Sequence, residues 1–545
     1  MLKGVLSRII DRFARPGPGA AHGAVDDTIA VAMEHCARGD YAAAGAMIEA
    51  AIARAPTHAG AHYLLGLLAC HGGAHDTGAR HIERALELEA GNRQYLAALA
   101  DARLLQQREV DALALYTEAF PQEFAATRDL EDGDLPWKRA HPDWTRTLRR
   151  VVSPLPDPGC DGSRSPGPVR FDDAVPGHLM NWALVLISRR QGKRAIWLLN
   201  RAILANARLG FAHAALAIVQ TLNRDWEPAL AAATSARALR EEGFQGANDL
   251  CILASQLGLG TDIKDFDPQF AWDAFSRPEP DITPELKMLP DLEGEAFPEF
   301  PAGALVCFIA CDPQYLVDHA TALACSIREN CDRCAIHLHV FNPDDRARST
   351  IRRLGQALEP IPVSVTWEWA DFDRYGGKSV YCPYIRFCRL YQLVASTENR
   401  VVMFDADSLV RGDLNAALED CRAIGLVRTT GEPMWHQYLA GVVTFCRTTE
   451  AERFLLLLGS FLASNVLAGK GRAYLDQIGL YVCALHHRGT LGEAIQELAI
   501  ERFCDTLFRD SALVWSITQN KAADGPFVQY QRAMLSKFEA IPDAD

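Results

Sequence analysis

Nothing in these 545 residues reads as a membrane span, since no apolar run reaches the roughly 18 residues such a helix needs. A surplus of positive charge is missing too. Lys and Arg number 55 against 69 Asp and Glu, a formal net charge of -14. That balance argues against nucleic acid as a partner, because neutralising phosphates takes clustered Lys and Arg. Paired zinc-binding spacing is absent: Cys331 to Cys334 is the only CxxC, with no second pair beside it, and it reads as surface or helix-end thiols. The 15 cysteines, odd in number and scattered from Cys36 to Cys504 through apolar segments, suggest reduced thiols and a cytoplasmic protein rather than a disulfide framework.

At this length one hydrophobic core is not enough, and two or three domains are expected. The first 15 residues, MLKGVLSRIIDRFAR, place Leu2, Val5, Leu6, Ile9, Ile10 and Phe13 on one helical face, with Lys3, Arg8, Arg12 and Arg15 largely elsewhere. They lack the continuous apolar stretch and small-residue cleavage site of a secretory signal. Two readings stand side by side: residues 2–15 lie peripherally on the inner face of an anionic membrane, or they dock on protein.

Three segments then recur at a 34-residue offset: GDYAAAGAMIEAAIARAP from Gly39, GAHDTGARHIERALELEAG from Gly73 and QREVDALALYTEAFP from Gln107. Ile48, Ile82 and Tyr116 correspond, as do Ala51, Ala85 and Ala119, then Ile52, Leu86 and Phe120. After a Pro-, Gly- and Asp-rich stretch the pattern resumes, with Ala195 matching Ala229 and Ala202 matching Ala236. The period and its small residues resemble the tetratricopeptide repeat. That resemblance implies about five helical hairpins in a right-handed solenoid, serving either as a protein-binding face or as a platform for another domain.

From Gly303 the texture changes. GALVCFIAC, AIHLHVFN, VSVTWEWA, RVVMF and AIGLVR read as strands, with helices expected near 315–329, 344–358 and 383–395. Such alternation implies an open α/β sheet, in which ligands bind beyond the carboxyl ends of the strands. Asp312 ends the first strand, and Asp405 with Asp407 ends the fourth in VVMFDADSLVRGDL. Three acids meeting at one edge would be costly unless something cationic neutralised them. A divalent cation, Mg²⁺ or Mn²⁺, carrying a diphosphate would do so, since both ions prefer carboxylate, phosphate and water oxygens.

Residues 302–520 resemble the GT-A glycosyltransferases, and within them glycosyltransferase family 8, whose members use nucleotide sugars, commonly UDP-sugars, and retain anomeric configuration. FDADSLVRGDL is similar to the family's DxD motif, which implies Asp405 and Asp407 as metal ligands. ACDPQYLVDHATALACSI resembles the opening nucleotide-binding segment and KSVYCPYIRFCRLYQL the segment before the metal motif. These imply donor contacts from Asp312, Tyr315, Lys378 and Arg386. LAGVVTF stands where the family reads Asn-Ala-Gly-Val, implying Ala440 and Gly441 at the donor sugar, with Leu439 in place of the Asn. YLDQIGLYV carries the Asp-Gln pair, implying catalytic places for Asp476 and Gln477 beside the transferred sugar. The family's late metal-binding His is missing from VWSITQNKAADG, where Lys521 takes the lysine place and Thr518 or Asn520 would have to replace the His.

Plainer readings exist for each residue. Arg386 suits a surface ion pair, Lys378 a loop, Tyr315 a core, and Asp476 a helix start. His436, His486 and His487 have no carboxylate at helical ligand spacing and read as ordinary surface or core histidines. A haloacid-dehalogenase-type phosphatase shares the DxD letters but has Thr two residues after the second Asp, where this chain has Leu409.

The expected organisation is multidomain: an amphipathic helix and linker (1–24), tetratricopeptide-like repeats (25–121), an irregular insertion (122–177), further repeats (178–262), a linker (263–301) and an α/β, Rossmann-like GT-A domain (302–545). The expected activity is a metal-dependent, retaining transfer from a nucleotide-sugar donor to a glycan, lipid or protein acceptor. Its rival is an inactive transferase-like scaffold.

Overall fold

The computed structural model describes residues 20–128, 130, 175–188, 191–239, 245–261, 271, 273–276, 284–294, 297–429, 436–471, 474–486, 494–517 and 525–540. Segment 2–15, His487, Thr518, Asn520 and Lys521 lie outside them, as does most of 122–177. The chain divides into two compact units at Ile252 and Leu253. No helix among the described residues is long and apolar enough to cross a membrane.

The first unit is all helix. Five antiparallel pairs follow one another: α1 (Ala20–Arg38) with α2 (Tyr41–Arg54), α3 (Ala59–His71) with α4 (His75–Leu88), α5 (Arg93–Leu105) with α6 (Glu109–Ala119), α7 (Val175–Ser188) with α8 (Gly192–Ala205), and α9 (Gly210–Asn223) with α10 (Trp226–Ala238). One turn chemistry recurs between partners. The N–H groups of Asp40, Ala74, Arg108, Gln191 and Asp225 each bond to the carbonyl five residues back, the 6→1 bond of a Schellman cap. Such a cap needs a left-handed residue, supplied by Gly39 (φ 85°), Gly73 (φ 83°), Gln107 (φ 62°) and Arg224 (φ 66°). The 34-residue offset seen in the letters is therefore the spacing of these turns. Its matched positions form the packing surface: Ile48, Ile82, Tyr116, Ala51, Ala85, Ala119, Ala195, Ala229, Ala202 and Ala236 are all buried. Small residues let the helices close in, and a Cβ on Gly78 would stand 2.3 Å from Cys70 Sγ across the α3–α4 pair.

Asp101 on α5 is fully buried, yet it accepts hydrogen bonds from Tyr116 of α6 and, at 2.8 Å, from His178 of α7. A buried carboxylate persists only when so satisfied. The trio ties the third pair to the fourth.

The second unit is α/β. Its main sheet has the order β1 (Glu293–Gly294), β4 (Val363–Glu368), β3 (Cys334–Phe341), β2 (Leu305–Cys311), β5 (Val401–Phe404), β8 (Tyr438–Phe445), β7 (Ile424–Arg428), β9 (Ile495–Ala499). Strands β4, β3, β2 and β5 run parallel; β2, β3 and β5 are buried along their whole length, as in a sheet covered on both faces, while β4 alternates half-buried with buried residues. A small second sheet pairs β6 (Ser408–Val410) with β10 (Val514–Ser516). Helices α11 (Thr321–Asn330), α12 (Asp345–Ala357), α13 (Lys378–Ser396), α14 (Thr449–Leu467), α15 (Leu475–His486) and α16 (Pro526–Glu539) complete it. The expected fold class holds: helical hairpins at tetratricopeptide-like spacing, then an α/β domain.

Three details differ from expectation. The sheet is mixed, because β8 runs antiparallel to both β5 and β7. Its amino end therefore meets the carboxyl end of β5, with Phe404 opposite Val442. Helix α13 begins at Lys378 rather than 383, and Pro383 lies inside it. Gly376 (φ 83°) and Gly377 (φ 98°) set that start, and only a glycine pair holds two successive left-handed residues cheaply. Cys331 does stand at a helix end, but neither CxxC thiol is at the surface; Cys331 and Cys334 are buried in the sheet's core. All 14 described cysteines are free, in keeping with reduced thiols.

Candidate active site at the carboxyl edge of the sheet

Parallel pairing of β2 with β5 sets Ile309 beside Phe404, so the residues that follow, Asp312 and Asp405, emerge at one edge. Asp312 caps a short turn, accepting from the N–H of Tyr315 at 3.0 Å, and Lys378 Nζ lies 3.2 Å from its other oxygen. Beyond that turn, Leu316–Ala320 forms a π-helical turn leading into α11.

Arg386 organises the centre. One guanidinium nitrogen donates to Asp405. Another reaches Asp476 Oδ2 at 3.3 Å and the carbonyl of Ala440 at 3.4 Å, while Nε donates to Pro383 O at 3.0 Å. Three other segments thus converge on this side chain of α13, which is 7% exposed. Burial works against the charge, but Asp405, Asp476 and Asp407 outweigh it, and the guanidinium's pKa rises. Asp476 shifts the other way for a carboxylate: burial raises its pKa above the usual range, the nearby Asp405 adds to the rise, and Arg386 and the N–H of Gln477 only partly offset it. It is not a simple helix-start acid.

Asp407 reaches the same field. Tyr315, 39% exposed, has its phenol pKa raised by partial burial first and then by Asp407, Asp312 and Asp405. The backbone N–H of Asp405 donates to Gly441 O at 2.8 Å, and a Cβ on Gly441 would sit 3.1 Å from Asp405 Oδ2 and 3.5 Å from Cys504 Sγ. Glycine leaves that carboxylate room. Burial, with Asp405 and Asp407 adding to it, pushes the Cys504 thiol up to about 12, so it stays neutral. Gln477 follows Asp476 in the first turn of α15, its Oε1 3.3 Å from His436 Nδ1.

The structure gathers Asp312, Tyr315, Lys378, Arg386, Asp405, Asp407, Ala440, Gly441, Asp476 and Gln477; Lys521 is outside the described residues. Two groups escaped sequence reading. His436 touches Gln477, a contact its reading as an ordinary histidine did not include. Glu368, fully buried at the end of β4, accepts from Tyr381 at 2.6 Å and from Arg389 Nε at 2.5 Å. Those donors lie three residues after Lys378 and Arg386, so Glu368 fixes the helix that carries both site cations. A buried acid at a strand end was visible in VSVTWEWA, but its partners were not. His486 instead packs edge-on against Phe275.

Four carboxylates stand against two described cations, an excess of negative charge that suits a further cation. Among the described residues no group of three or more His, Cys, Asp or Glu could hold a metal. An ion such as Mg²⁺ or Mn²⁺ held by one or two carboxylates, with phosphate and water oxygens completing its shell, needs no all-protein cage.

No protein-family model matches this sequence, and no curated protein matches it. Among solved structures, Pseudomonas aeruginosa PilF is 14% identical over 44% of this chain and 87% of its own, with a TM-score of 0.32. The apo structure of WbbM, a bifunctional glycosyltransferase, is 12% identical over 65% of this chain and 71% of its own, at 0.31. The glycosyltransferase GlyE of Streptococcus pneumoniae is 14% identical over 44% of this chain and 66% of its own, at 0.31.

Proposed function

We propose that the second unit is a cation-assisted glycosyltransferase that moves a sugar, with retention, from a nucleoside diphosphate sugar, a UDP-sugar first among candidates, to an acceptor. One observation carries the reading. Arg386 joins Asp405, of the DxD motif, to Asp476, of the Asp-Gln pair, so two motifs that the sequence resemblance assigns to one reaction share one guanidinium.

Asp405 and Asp407 would hold the divalent ion; when bound, it supplies Lewis-acid neutralisation of the departing diphosphate. Lys378 and Arg386 add positive charge at the same edge, with Lys521 in the family's lysine place. Asp312 and Tyr315 contact the base, and Ala440 and Gly441 line the sugar's approach. The carboxylate of Asp476 stabilises positive charge on the anomeric carbon as the bond to phosphate stretches, and Gln477 orients the sugar. The repeats of the first unit bind a partner or the acceptor.

Purified protein with Mn²⁺ and a panel of nucleotide sugars tests this, read by diphosphate release. The expected result is hydrolysis of one donor, lost in Asp407→Asn. The alternative is a scaffold with an inactive transferase domain, and no release with any donor of the panel would favour it.

A further inference from the structure

Gln477 Oε1 carries no proton, so the 3.3 Å contact with His436 Nδ1 requires the hydrogen to be on the imidazole. His436 donates and Gln477 accepts. With one lone pair of its carbonyl taken by the imidazole, the other end of the Gln477 carboxamide is its NH₂, which offers two donors and no lone pair. His436 is itself held on two sides. Its carbonyl accepts from Thr429 Oγ1, the Thr429 N–H bonds to Gln437 O at 2.9 Å, and its ring meets Tyr474 edge to face with centroids 4.5 Å apart. Tyr474 stands at φ 64°, a left-handed conformation that is strained for a non-glycine residue, immediately before α15. Arg386 grips Asp476 on one side of this helix start, and His436 grips Gln477 on the other.

We propose that His436 is a positioning residue that fixes the Gln477 carboxamide with its NH₂ toward the ligand, so that the site reads an oxygen lone pair there. On the glycosyltransferase reading, on which this step rests for its ligand, that oxygen belongs to the transferred sugar. A sugar whose substituent at that point cannot accept a hydrogen bond is then a poor donor.

Full-length variants decide it. His436→Asn keeps a side-chain N–H near the place of Nδ1, whereas His436→Phe keeps a ring against Tyr474 and loses the donor. UDP affinity with Mn²⁺ should stay within about twofold of wild type in both. Donor hydrolysis should fall about tenfold or more in His436→Phe and stay within about threefold in His436→Asn. Full turnover in His436→Phe, or equal loss in both, overturns the assignment. A second readout is independent of catalysis: the Tm losses of His436→Phe and Gln477→Leu should be non-additive in the double variant. Additive losses refute the pairing. A wild type that hydrolyses no nucleotide sugar defeats the transferase reading alone, and the Tm cycle still tests the bond between His436 and Gln477.

Discussion

Arg386 and Asp476 lie 90 residues apart in sequence and meet at 3.3 Å, with the same guanidinium also bonded to Asp405. The acids repel each other, as the upward push of Asp405 on the Asp476 pKa records. One cation between them makes the arrangement tolerable, and this balance governs how the site responds to change.

Arg386→Ala should be among the most destabilising substitutions in the second unit. It leaves Asp476 buried without its cation, and removing one partner of a buried pair costs about 3–5 kcal/mol. Arg386→Lys keeps the charge but cannot fork between two carboxylates, so it should fall between. Chemical denaturation of the three proteins checks the order.

Asp407→Asn should abolish Mn²⁺-dependent UDP binding and leave Tm unchanged or higher, because it relieves a cluster in which acids outnumber cations. Calorimetry with and without Mn²⁺, alongside thermal shift, reads both effects. Equal UDP affinity in variant and wild type would sink the metal assignment.

Asp476→Asn should lower turnover by one to three orders of magnitude with little change in UDP affinity, about 1.4 kcal/mol of transition-state stabilisation per decade. The raised pKa gives a pH signature. The folded carboxyl binds its proton more tightly than the unfolded one, so the stability this contributes is full below about pH 4 and is lost as pH rises through the folded value. Activity that needs the carboxylate should rise over that same window, above the ordinary carboxylate range. In Asp476→Asn the rise should disappear from the pH–rate profile.

Gly471→Ala should destabilise by about 1–3 kcal/mol, as overpacking usually does. A Cβ there would stand 2.2 Å from Val380 Cγ1, in the first turn of the helix carrying Lys378 and Arg386. Val380→Ala should recover part of the loss. A double-mutant cycle in urea measures the coupling, and additive losses would place the effect elsewhere.

Gln107→Gly should stabilise the repeats by about 0.5–1 kcal/mol. The residue holds φ 62° at the turn where the two preceding repeats use Gly39 and Gly73. Relief of left-handed strain outweighs the entropy glycine adds to the unfolded chain. A lower Tm would show that the side chain, not the backbone, decides this position.

The sequence by itself determined the helical hairpins and the first strands of the sheet. A helical packing face repeats because identical hairpins must bury identical stripes, so Ile48, Ile82 and Tyr116 announced the array. Buried parallel strands are continuous apolar runs, so β2, β3 and β5 were legible, and carboxylates placed directly after such strands had to reach the carboxyl edge. Partnership across the sheet was decided only by the tertiary structure. Nothing in LAGVVTF reveals that β8 runs antiparallel between β5 and β7, a direction that sets Gly441 against Asp405 and Ala440 against Arg386. No local pattern marks His436 as the partner of Gln477, or Glu368 as the anchor of α13. Periodicity reports which face of an element is buried, whereas these contacts depend on strand direction and on where distant elements cross, which a single chain's local pattern does not encode.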